Sequence, residues 1–176
     1  MNLSKIAVAL AASLSLASAF AQDKGGPSDP QIAGIVVTAN AIDIDAGKLA
    51  KSHTKNKEVS KFAQLMITDH TAVNKQAGAL AKKLGVKPED SDTSKSLKAG
   101  AADNMKNLKG LKGAAFDKAY VDHEVAYHQA VLDAIDKVLI PSAKNAELKD
   151  LIVKVRPAIA AHLDHAKMVQ SDLAKK

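Results

Sequence analysis

The chain has 176 residues, of which 47% are hydrophobic and 3% aromatic, with no cysteine and a formal charge of +6. That length fits one domain. The missing cysteine excludes a disulfide framework, a thiolate metal site, an iron–sulfur cluster and a cysteine nucleophile. The basic charge is almost all lysine, with Arg156 the only arginine, so neither composition nor charge points to nucleic-acid binding.

Met1 to Ala21 reads as a secretory signal peptide. Lys5 is its positive start, Ile6 to Leu16 its apolar stretch, and Ala19-Phe20-Ala21 supplies small residues at the cleavage positions. The apolar run is shorter than the roughly 20 residues a bilayer span needs. The expectation is cleavage before Gln22, export to a bacterial periplasm and no stable membrane span. Losing Lys5 lowers the charge from +6 to +5. Residues 22–28 are polar and Gly-rich and read as a flexible lead-in. Residues 29–174 read as one helical domain.

Asp29-Pro30 looks like a helix start, with Asp29 as the N-cap and Pro30 at the first helical position. Ile32, Ile35, Val36, Ala39, Ile42, Ala46, Leu49 and Ala50 recur at helical spacing, which predicts a first helix over about residues 30–53. Asn56 is a candidate cap for the second helix, whose stripe runs Val59, Phe62, Met66, Val73, Ala77, Leu80 and Leu84. Gly85 then stands where a left-handed residue ends a helix. Residues 94–108 predict a short, weakly amphipathic extra helix. After Gly110 and Gly113 a third long helix carries Phe116, Tyr120, Val131, Ile135 and Val138 and is expected to stop at Pro141. The fourth begins near Asn145, and Pro157 predicts a kink within it. No strand pattern occurs, so the expected architecture is all-α, an antiparallel four-helix bundle.

The informative residues are polar ones lying inside the apolar stripes. On a helical wheel, Asp43 falls between Val36 and Ala50. His70 falls between Met66 and Val73, with Asp69 at the edge. Asp117, Glu124 and His128 share a face with Tyr120, Val131 and Ile135, and His162 lies with Ile159 and Ala166. Asp43, His70, Glu124 and His128 sit near mid-helix, with His162 slightly beyond, so one interior layer can collect them. A buried carboxylate or imidazole without a partner costs several kcal/mol in effect.

Two readings follow. Asp43, His70, Glu124, His128 and His162 bind a transition metal between facing helices. Alternatively, these groups join Asp69, Asp117 and Tyr120 in a metal-free hydrogen-bond network that fixes helix register. Glu124 and His128 could act as acid and base. There is no Gly-x-Ser-x-Gly elbow and no phosphate-cradling Gly loop. No residue is therefore assigned a catalytic or cofactor-binding role.

The segment KFAQLMITDH, Lys61 to His70, resembles a signature of the domain-of-unknown-function 4142 family. GAAFDKAY, Gly113 to Tyr120, resembles a second one, followed by His128, and Pro157 with His162 matches a third. The resemblance covers about residues 29–174. It implies a ferritin-like four-helix bundle, exported in bacteria, without an assigned activity. The family's recurrent polar positions carry over as Asp43, Asp69, His70, Asp117, His128 and His162, although Asp43 stands where Glu is more frequent. Ferritin-like di-iron sites use Glu-x-x-His pairs, and no histidine here has Glu three residues before it. A histidine-weighted set suits zinc or copper better than an iron pair. The expected function is metal binding in a storage, buffering or stress role. The alternative is a structural or interaction module of the cell envelope.

Overall fold

The computed structural model describes residues 25–175, and the regular structure among them is helical throughout, with no strand. The predicted signal peptide lies outside the described residues. No helix among them is long and apolar enough to cross a membrane.

Helix α1 spans Asp29–His53, α2 Lys57–Leu84 and α3 Asp92–Lys109. Helix α4 (Gly113–Ala134) continues through a π-helical turn (Ile135–Leu139) into a last short turn, α5 (Ile140–Ser142). Helix α6 spans Ala146–Ala174 and runs on past Pro157.

Local chemistry fixes these ends. The N-cap of α1 is Ser28, not Asp29: the Ser28 hydroxyl accepts from the Gln31 N–H, and the Gln31 side chain accepts from the Ser28 N–H. This reciprocal pair leaves the Asp29 carboxylate free. It accepts the backbone N–H groups of Lys144 and Asn145, both at 2.9 Å, just ahead of α6. Asn56 caps α2 through the N–H groups of Glu58 and Val59, and Gly85 ends it at φ 65°, a conformation glycine adopts without strain. The extra helix is longer than expected, because Ser91 and Ser94 form a second reciprocal cap ahead of it. The third long helix passes Pro141. In the π turn the Ile140 N–H reaches back five residues to the Ile135 carbonyl, and the helix persists to Ser142.

The helix ends show the course of the chain. Beyond α2, the Glu89 N–H donates to the Pro30 carbonyl at 2.9 Å, so the chain has returned to the start of α1. Helix α3 leads back to the other end, where His53 of α1 stacks on Phe116 of α4 at 5.2 Å. The Asp29 contacts bring the start of α6 beside the start of α1. Helices α1 and α6 therefore run one way, and α2 and α4 the other.

The apolar core divides in two. One cluster includes Ile32, Ile35, Tyr127, Ile135, Leu139, Ile152 and Ile159. The other includes Ala46, Ala50, Phe62, Met66, Phe116, Tyr120, Ala166 and Val169. On α1, Asn40 and Asp43 lie between the residues of the two clusters. On α2, α4 and α6, His70, Glu124 with His128, and His162 fall at the same boundary.

Candidate metal centre

The boundary layer is fully interior. Asp43, His70, Glu124, His128 and His162 are each exposed by 4% or less. The layer brings together all five residues singled out from the sequence. The rings of His70, His128 and His162 form a triangle, with centroids 5.7, 5.2 and 5.5 Å apart. One ring nitrogen from each lies within 4.8 Å of the others, and a second grouping of the same kind joins Asp43, Glu124 and His128.

Each of the three imidazoles has one nitrogen engaged and one free. His70 Nδ1 is 2.7 Å from Asn40 Oδ1, while the Asn40 amide nitrogen donates to the Val36 carbonyl at 2.9 Å. That second bond orients Asn40 so that its oxygen faces His70, and Nδ1–H must be the donor. His128 Nδ1–H likewise donates to the Glu124 carbonyl at 3.0 Å. His162 Nε2 is paired with Asp69 Oδ2 at 2.9 Å. His70 Nε2, His128 Nε2 and His162 Nδ1 are buried with no hydrogen-bond partner among the described residues. Histidine ligands show the same division, one nitrogen on the ion and the other donating to an acceptor that sets tautomer and ring orientation.

The electrostatics agree with neutral rings. Burial lowers His70 to about 2, helped by the facing His128 and His162. Burial lowers His128 to about 3. Both rings therefore keep a free lone pair at neutral pH. The carboxyls shift the other way. Burial pushes Asp43 and Glu124 well above the ordinary carboxylate range, and the Asp43 charge pushes Glu124 further. Asp43 Oδ2 stands 3.5 Å from His70 Nε2. Glu124 Oε2 stands 3.4 Å from His128 Nδ1.

The polar network is joined in places, by Asn40–His70, Asp69–His162 and the Asp43–Glu124 contact. Asp117 and Tyr120 are buried, yet Asp117 Oδ1 and the Tyr120 hydroxyl have no partner among the described residues. Asp69 is not buried: its side chain is 40% exposed, and it reaches the layer only through His162. Two participants escaped the sequence reading, Asn40 and the Glu124 carbonyl. Asn40 lies three residues before Asp43 on the same helical face, and that spacing was the available signal.

Nitrogen and oxygen donors of this kind fit a tetrahedral ion with bonds of about 2.0–2.2 Å, whose ligand atoms lie roughly 3.3 Å apart. The 3.5 Å between His70 Nε2 and Asp43 Oδ2 is close to such an edge. One ring nitrogen of each of His70, His128 and His162 lies within 4.8 Å of the others, somewhat wider than such an edge.

No curated protein and no solved structure matches the chain. The family model described as domain of unknown function (DUF4142) matches residues 14–169, and the chain belongs to that family.

Proposed function

We propose that this protein is an exported, ferritin-like four-helix bundle that holds one transition-metal ion in its interior, in a storage, buffering or stress role. The ferritin-like reading is supported by the directions of α1, α2, α4 and α6 and by α3, which runs between the ends of α2 and α4. Export rests on the signal-peptide pattern of residues 1–21 alone.

The observation that carries metal binding is the trio of free nitrogens. His70, His128 and His162 each leave a buried ring nitrogen unpartnered and hold the other on a fixed acceptor. Leaving three such nitrogens without a partner is costly in a metal-free core, and one ion would engage all three. The three imidazoles would supply nitrogens, and the Asp43–Glu124 pair the oxygen. Zinc or copper fits this donor set better than a carboxylate-bridged iron pair. Burial on this scale suits holding an ion more than turning over an organic substrate.

The second reading is a cell-envelope interaction module without metal. Two hydrogen bonds favour it: Asn40–His70 ties α1 to α2, and Asp69–His162 ties α2 to α6. Thermal melting of metal-free protein separates the two. With zinc at 100 times its dissociation constant, binding adds about 2.7 kcal/mol, a gain of several degrees. His70→Ala is expected to abolish that gain. No shift with zinc, copper, iron or manganese would leave the interaction module standing.

A further inference from the structure

An ion bound among these five side chains has to pass between two helices, and three of the four lateral seams are closed. Along α1–α2 the backbones approach so closely that a Cβ on Gly47 would lie 3.0 Å from the Ala63 carbonyl. Along α1–α4 the buried Tyr127 hydroxyl donates to the Ala39 carbonyl at 3.2 Å. The α4–α6 side is laced by the two-pronged Arg156–Asp136 pair from the π turn and by Gln170–Asp122.

The α2–α6 seam is tied toward its ends by the Lys83–Glu147 pair and the Phe62–His165 ring contact. Near the layer it is crossed by the Asp69–His162 contact. Asp69 is 40% exposed and His162 5%. The other two acceptors that hold the histidines, Asn40 and the Glu124 carbonyl, belong to buried residues. His162 thus touches a solvent-reaching carboxylate with Nε2 and turns its free Nδ1 inward. A single imidazole spans from rim to interior. Beyond it the seam continues as an apolar crevice lined by Val73, Ala77 and Leu80 of α2 and Leu151, Ile152 and Val155 of α6.

We propose that the α2–α6 seam is the ion's access route, with Asp69 the carboxylate that receives a divalent cation at the rim and passes it to the interior donors through His162. This rests on the metal-binding reading above. An exposed carboxylate attracts a cation before it loses its water, and the ion then lies one side chain from His70 and His128.

Asp69→Asn tests the proposal. Asparagine still offers His162 an oxygen acceptor but carries no charge. Zinc uptake by metal-free protein, and zinc release to a chromophoric chelator, are timed by stopped flow for wild type, Asp69→Asn and Tyr127→Phe. A receiving carboxylate lowers the barrier in both directions, so Asp69→Asn is expected to slow uptake about tenfold, with release slowed or unchanged. Tyr127→Phe, which unlatches the α1–α4 seam, is expected to match wild type. Unchanged uptake in Asp69→Asn overturns the proposal. So does faster release, which marks a residue that only orients His162, and so does faster uptake in Tyr127→Phe, which puts the route at the other seam. Wild-type protein that takes up no zinc overturns the metal-binding reading itself, a result distinct from these three.

Discussion

Glu124 is the residue at which stability and binding pull apart. It is fully buried, and both burial and the Asp43 charge push its carboxyl well above the ordinary range. A group whose folded value is raised in this way costs stability as pH climbs from its unfolded value to its folded one. Glu124→Gln removes that cost. Metal-free Glu124→Gln is therefore expected to be more stable than wild type at pH 8, by about 1–4 kcal/mol. The gap should narrow as pH falls toward 4.5, where the carboxyl is protonated in the folded state and about half protonated in the unfolded one. The histidines act in the opposite sense. His70 and His128 sit near 2 and 3 when folded, so their contribution is complete above about 6.5 and is lost as pH falls through that window. Wild type offsets part of this acid loss with its carboxyls, and the variant should lose stability more steeply on acidification. Urea midpoints from pH 4.5 to 8 check the sign. A variant less stable than wild type at pH 8 would show that Glu124 holds the metal-free core together.

At the scale of elements, the sequence stripes were enough to find all four long helices and the extra one. Their ends were less legible, because a cap depends on which of several small polar residues takes the role. Asp29 reads as a cap by type, but Ser28 has a Gln three residues on and forms the reciprocal pair, while Asp29 turns to the start of α6. Pro141 reads as a stop, but the preceding π turn carries the chain one turn further. Glycines divide in the same way. A Cβ on Gly34 would meet the Glu89 carbonyl oxygen at 2.0 Å, whereas one on Gly78 meets nothing within 4 Å. Gly34→Ala must push α1 away from the loop after α2 and is expected to cost about 1–3 kcal/mol. Gly78→Ala relieves backbone entropy inside α2 and is expected to add roughly 0.5–1 kcal/mol. Denaturant unfolding of the two variants checks both signs, and equal effects would contradict the close packing seen at Gly34.

Across the whole molecule, two apolar clusters meet at one polar layer. The layer's membership was readable from helical phase, since Asp43, His70, Glu124, His128 and His162 all interrupt apolar stripes. Its internal wiring was not, because phase says nothing of what lies across a seam. Asn40 serves a ring thirty residues away. Asp69 proves to be a rim residue, and Tyr120 and Asp117 have oxygens without a partner among the described residues. The lysine excess lies mostly on exposed helix faces, some of it in short-range pairs such as Lys48–Asp45, Lys61–Glu58 and Lys137–Asp133, which add little stability individually. What distinguishes the molecule is thus the unsatisfied interior and not its charged coat. Elemental analysis of untagged protein purified from cells tests that most directly. One zinc or copper ion per chain in wild type, falling to background in a folded His70→Gln variant, is the expected result. Background metal in the wild-type protein would contradict it.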